Sequence, residues 1–272
     1  MRIASALAVL LAGAALVSTS AQAQVPDDKW TFQAIVYGYF PDLGGTTNFP
    51  TRAEGGSGNI NVGIDSILSN LNFTIMGELE ARKGRWGMFT DLIYLDVGGS
   101  KNDTRDFTVG AHAIPAGVSA NLTLDLKGTL WTLAGEYAAI NEKSTLLYVF
   151  GGARLLDLDQ KLGYTLTADV GPITGPGRSG SSDVSLTYWD AIVGVKGRYA
   201  FGERNEWFVP YYADIGTGQS DLTYQLFGGV GYSFSWGSML AGWRYLDYNF
   251  KSGSKVESLN FNGPMIGVAF GW

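Results

Sequence analysis

The chain has 272 residues, of which 38 are glycine, 13% aromatic and 16% charged, with one histidine and no cysteine. So many aromatics exclude a disordered polymer, and the lack of cysteine excludes disulfide frameworks and thiolate metal centres. A formal charge of −6 offers no basic footprint for a nucleic acid, and one histidine cannot build a multi-histidine centre, so neither a metal nor a cofactor is expected.

At the N-terminus, Arg2 supplies a short positive start and Ile3–Val17 is an almost unbroken apolar run. Ala21-Gln22-Ala23 follows as a small-residue cleavage site. This pattern predicts a secretory signal peptide over 1–23 and leaves 24–272 as a single mature domain, either a soluble periplasmic or secreted protein or a membrane β-barrel. Loss of Arg2 takes the net charge from −6 to −7. Nothing later in the chain approaches the ~18 apolar residues of a membrane-spanning helix.

From residue 30 onward the chain alternates apolar and polar residues in ten segments, near 30–40, 72–83, 86–98, 120–139, 145–166, 183–201, 207–216, 221–235, 238–251 and 257–272. Leu222–Phe234 shows it best: Leu222, Tyr224, Leu226, Val230, Tyr232 and Phe234 share one face, and Thr223, Gln225 and Ser233 the other. Each segment is predicted to be a strand, several about twice the usual globular length. The connections alternate too. Gly84-Arg85, Ile140–Ser144, Gly202–Glu206 and Trp236-Gly237 are short, whereas Pro41–Leu71, Gly99–Ser119 and Thr167–Ser182 are long. Thr217–Ser220 and Ser252–Val256 are of modest length. The pattern predicts an all-β fold, a single antiparallel transmembrane β-barrel of about ten strands with short periplasmic turns and longer extracellular loops. Eight strands would remain if two segments belonged to loop hairpins.

The polarity of the faces points the same way. In Phe73–Lys83, Phe73, Ile75, Leu79 and Ala81 oppose Thr74, Met76, Glu78, Glu80 and Arg82; in Trp189–Phe201, Trp189, Val193, Val195, Tyr199 and Phe201 oppose Asp190, Lys196 and Arg198. Long apolar faces tipped by aromatics suit lipid, which turns the charged faces inward. The expected lumen network comprises Glu78, Glu80, Asp91, Glu136, Arg154, Lys196, Arg198, Asp214 and Arg244, with Arg82 and Asp190 beside it. Glu136, Arg154, Lys196 and Arg244 are placed at its centre. Such charges either neutralise one another as a filling or line a small ion path.

Three loop features complete the inventory. Ile64, Ile67, Leu68 and Leu71 follow a helical stripe within 59–71, a candidate lid or gate. Lys101–Phe107 carries Asn102, Asp103 and Asp106 without regular cation-ligand spacing, and reads as a solvated loop. His112 sits among Gly110, Ala111 and Ala113 with no adjacent serine, a poor setting for a catalytic base.

The last strand, Ile266-Gly267-Val268-Ala269-Phe270-Gly271-Trp272, ends on an outward aromatic and resembles the C-terminal insertion signal of bacterial outer-membrane proteins, carried by Phe270 and Trp272. The stretches Gly77–Gly87, Asp91–Leu95, Tyr188–Tyr199 and Gly242–Asp247 resemble small outer-membrane barrels of the OmpA-like and OmpW-like kind, and more narrowly a functionally unassigned proteobacterial family. The resemblance spans most of 30–272 and implies the architecture of a Gram-negative outer-membrane barrel; the role expected from the inward charges is non-enzymatic, structural or small-solute, with an ion-paired lumen. It implies contact with outer-membrane lipids and lipopolysaccharide, and with periplasmic chaperones and the barrel insertion machinery during assembly. A narrow channel for small or hydrophobic solutes, gated by 59–71, is the alternative. A third reading, a lipid- or peptide-modifying enzyme, would have to rest on His112.

Overall fold

The structure, a computed structural model, describes residues 29–49, 56–62, 71–101, 108–109, 112–113, 118–170, 173–174, 178–254 and 256–272. The expected signal peptide lies outside them, as does Lys101–Phe107 apart from Lys101. Ten strands close a ring: β1 (Trp30–Tyr39), β4 (Leu71–Lys83), β5 (Trp86–Lys101), β8 (Val118–Asn141), β9 (Thr145–Val170), β11 (Arg178–Phe201), β12 (Trp207–Gly218), β13 (Leu222–Ser233), β14 (Ser238–Asn249) and β15 (Val256–Gly271). Every neighbour is antiparallel, and β1 meets β15 from Gln33↔Gly271 to Tyr39↔Met265. The remaining strands, β2 (Asp42–Phe49), β3 (Gly56–Val62), β6 (Thr108–Val109), β7 (His112–Ala113) and β10 (Ile173–Thr174), lie toward the loops.

The tight turns follow from local chemistry. Gly84 takes a φ of 63°, which the two-residue hairpin between Lys83 and Trp86 requires and side chains resist. Between β11 and β12 the turn uses Gly202 (φ 97°) and Asn205 (φ 57°). There the Glu206 carboxylate accepts the Arg204 N–H at 2.8 Å, and its own and Arg204's backbone amides hold it below the usual carboxylate range.

The outer wall is apolar. Leu79 is 58% exposed and Val193 61%, with Val36, Ile75, Ile215 and Ile266 similarly bare. Aromatic rings collect at both ends of this band. At the turn end Phe32 stacks between Trp30 (6.2 Å) and Trp272 (5.9 Å), Trp207 meets Tyr232 at 5.0 Å, and Trp236 lies 5.8 Å from Phe270. At the loop end Phe73 pairs with Tyr94, Trp131 with Trp189, and Tyr224 with Tyr245. Tyr224 and Phe234 mark the two girdles about 10 residues apart, or roughly 25 Å of height for a strand tilted by roughly 40°, which matches a hydrocarbon core.

Three expectations need correcting. Pro41–Leu71 is not all loop, because β2 and β3 form a hairpin from Leu43↔Val62 to Phe49↔Gly56, and β2 extends the sheet alongside β15. Asp42–Phe49 and Gly56–Val62 are rich in Gly, Asn and Thr, so a backbone ladder forms where side-chain alternation is faint. Of the helical stripe, Leu71 instead opens β4, and residues 59–62 ahead of the stripe belong to β3. Ile64, Ile67 and Leu68 lie outside the described residues. Finally, β9 and β11 run 26 and 24 residues, four and five past the loop-side edges read from alternation, while β8 exceeds its segment by two at each end.

Candidate functional site

Inward-facing positions recur every second residue, so each strand contributes one rung to each level of the lumen. Three levels result.

The middle level is a polar belt. Arg154, projecting from β9, is fully buried and grips Asp214 of β12 with both terminal nitrogens, Nη1 reaching Oδ1 at 3.0 Å. Its Nε donates to Thr132 at 3.3 Å and Nη2 to the Tyr212 hydroxyl at 3.4 Å. Across the barrel Arg244 of β14 donates to Asp91 (2.8 Å), Gln225 (2.9 Å) and the Tyr37 hydroxyl (3.1 Å). Tyr37 in turn donates to Asp91, and the Tyr39 hydroxyl donates to the Arg244 carbonyl at 3.1 Å. A planar guanidinium suits both places because its fork matches a carboxylate edge to edge.

Toward the turns lies a second knot. Lys196 Nζ sits 2.7 Å from Glu80, 2.9 Å from Glu136 and 3.4 Å from Glu78, and 3.8 Å from the centre of the Phe89 ring. Arg82 pairs with Glu80, reaches Glu136 at 3.6 Å and donates to the Tyr148 hydroxyl. Beside this knot is a cavity of about 240 Å³ lined by Gln33, Glu78, Arg82, Tyr148, Arg198, Phe208 and Arg244, among others. The third level, toward the loops, is apolar: Leu43, Met76, Ile93, Leu130, Leu156, Leu158, Leu246 and Tyr248 pack into one cluster.

All nine expected network residues face the lumen, eight of them in three separate knots. Arg154–Asp214, Arg244–Asp91 and Lys196–Glu78/Glu80/Glu136 share no hydrogen bond, so Glu136, Arg154, Lys196 and Arg244 do not form one centre. Arg198 is a correction: it forms no ion pair with a carboxylate among the described residues, and its guanidinium lies 5.5 Å from the Phe208 ring centre. Asp190, grouped with the charges, accepts the Ser220 N–H at 2.9 Å instead of meeting a cation. Sequence reasoning missed Tyr37, Tyr39 and Tyr212, whose hydroxyls complete the knots; their parity with Gln33, Ile35 and Asp214 was the available signal. Phe270 and Trp272 stand exposed on the outer wall at the turn end. His112 opens β7, which pairs only with β6, and its side chain is outside the described residues. Among the described residues no group of three or more histidine, cysteine or acidic side chains is placed to hold a metal.

The Lys196 knot depends on a missing side chain. A Cβ at Gly87 would stand 2.6 Å from Arg82 Cγ and 2.8 Å from Glu136 Oε1. Gly87→Ala is expected to cost about 1–3 kcal/mol by pushing the pair apart, read as a lower unfolding midpoint by the gel shift of heated against unheated protein. An unchanged midpoint would mean that the knot relaxes freely.

No family model matches the chain, and no curated protein matches it. Among solved structures it is similar to the outer-membrane protease OmpT of Escherichia coli (10% identity, TM-score 0.49, covering 92% of this chain and 98% of that one). It is also similar to the attachment invasion locus protein Ail of Yersinia pestis (10%, 0.31, 89% and 98%) and to the translocator domain of the autotransporter NalP of Neisseria meningitidis (13%, 0.27, 98% and 97%). On its own closed sheet, paired aromatic girdles and inward charges, the chain is a ten-stranded antiparallel β-barrel with an apolar outer wall.

Proposed function

We propose that the protein is an integral, non-enzymatic barrel of the outer membrane, exported with removal of residues 1–23, whose lumen is closed to ion flow by its own side chains. The observation that carries this reading is the stacking of two seals. Arg154 is fully buried across the belt, and directly above it Leu246 and Tyr248 are fully buried in the apolar cluster. An ion would have to cross an apolar level with no fixed charge to replace its water, and dewetting alone closes such a constriction. The role is then structural, or confined to small solutes taken into the 240 Å³ cavity below the belt.

Single-channel recording in a planar bilayer tests this. Protein that is folded, judged by its gel shift on heating, is expected to give no steady current. A stable, selective conductance that changes in Arg244→Ala or Glu136→Gln would replace the closed barrel with a narrow channel. The apolar loop-end level favours hydrophobic solutes as the cargo of that second reading.

A further inference from the structure

The barrel wall is not closed evenly. The β1–β4 ladder stops at Val36↔Gly77, whereas β4 continues beside β5 as far as Leu71↔Val97. Above that point β15 pairs with β2 and β2 with β3. Among the described residues, no strand therefore pairs with the other edge of β4 over residues 71–76.

The seam is built from both sides. Along β1 the N–H groups of Phe32 and Phe40 point to β15, at 2.9 and 3.0 Å from its carbonyls, so the odd-numbered N–H groups point toward β4. At the seam Tyr39 N–H finds the Met76 sulfur at 3.1 Å instead of a carbonyl. Two residues on, Pro41 has no N–H to offer, as expected of a strand edge. On the outside, Gly38 leaves its place to the Phe40 ring, 2.8 Å from where a Cβ would stand, while Phe73 and Ile75 of β4 are more than half exposed. On the inside, Tyr39, Pro41, Met76, Ile93, Leu156 and Phe261 line an apolar cavity of about 40 Å³. The Tyr39 hydroxyl beside it is already spent on the Arg244 carbonyl.

We propose that this seam holds one acyl chain of a surrounding membrane lipid, threaded between the end of β1 and β4 with its methyl end in the apolar level. The proposal rests on the membrane reading above. A lipid tail is the occupant because the seam breaks the wall beside the apolar band, so the tail passes from lipid to apolar lining without meeting water. No charged group lines the cavity, so a headgroup or polar solute finds no anchor there. The Tyr37–Asp91–Arg244 knot forms a polar floor that stops the chain. The cavity is little larger than the ~30 Å³ share of one water, so the tail enters as Met76, unbranched and rotatable, swings aside.

The full chain is reconstituted into phosphatidylethanolamine–phosphatidylglycerol vesicles containing a trace of phosphatidylcholine with a photoreactive diazirine at its acyl terminus. After illumination, labelled residues are mapped by mass spectrometry. Adducts are expected on inward-facing Met76, Ile93 or Leu156 as well as on outward-facing Ile75 and Leu79. Adducts confined to outward-facing residues would overturn the seam while leaving the membrane reading intact. So would adducts on Phe208 and Leu240, which would mean entry from the turn end. No adduct anywhere would overturn the membrane reading itself. Filling the compartment with Met76→Trp, or with Ile93→Phe if the first variant fails to fold, is expected to reduce inward adducts several-fold with outward ones unchanged. Equal inward labelling would refute the proposal.

Discussion

Arg154→Met is expected to destabilise the barrel by about 3–5 kcal/mol, because it leaves Asp214 as an unpaired charge on a fully buried side chain. The test is a cycle. Asp214→Leu alone strands the guanidinium and should cost a similar amount, whereas Arg154→Met with Asp214→Leu should recover most of the loss, since an apolar pair of similar volume escapes the desolvation penalty. Arg154→Lys should fall between, because an ammonium cannot reach both carboxylate oxygens, Thr132 and Tyr212 together. Equilibrium unfolding in guanidinium, followed by tryptophan fluorescence in lipid vesicles, reads all four proteins. If the double variant were no better than either single one, the pair would have to be credited with more than mutual neutralisation.

The second large effect lies on the opposite surface. Val193 is 61% exposed, between Trp189 of the loop-end girdle and Tyr199 near the turn end of β11. On a protein in water, Val193→Arg at such a site would change stability by at most about 0.5 kcal/mol. In the middle of a bilayer the same arginine costs about 2–4 kcal/mol. Unfolding from vesicles is therefore expected to show the larger figure, and a loss within about 0.5 kcal/mol would remove the bilayer from around β11.

Much of this architecture is written in period-two alternation. Glu78 and Glu80, or Lys196 and Arg198, sit two residues apart opposite Leu79 and Val195, and that phase alone assigns lumen and wall. What alternation cannot give is which charge meets which. Lys196 of β11 reaches Glu78 and Glu80 on β4 and Glu136 on β8, and that choice depends on the stagger between strands, which period two leaves undetermined. Arg198 shows the limit: it shares the face and sign of Lys196, yet at its height it meets Phe208. The β2–β3 hairpin was hidden for a different reason. A ladder held by backbone groups needs no apolar face, so Gly, Asn and Thr satisfy it while reading as loop. Pro41 was visible, but its meaning as an edge appears only once β4 is known to lie on that side.

Every neighbouring pair in the ring but one is formed by ring strands consecutive in chain order, with only the short loop-side strands between them; the exception is β1 with β15. Nine pairings can therefore form as hairpins grow, while the tenth must bring together the two ends of nearly the whole domain. The loop-closure entropy of that step grows only with the logarithm of length, but it falls on a single event that cannot begin before the final strand has arrived. Until then the molecule is a curved sheet with two bare edges, Trp30–Tyr39 and Val256–Gly271, each a template for the wrong partner. The time spent in that open form, rather than the strength of any one knot inside the cylinder, sets how many chains reach the closed state.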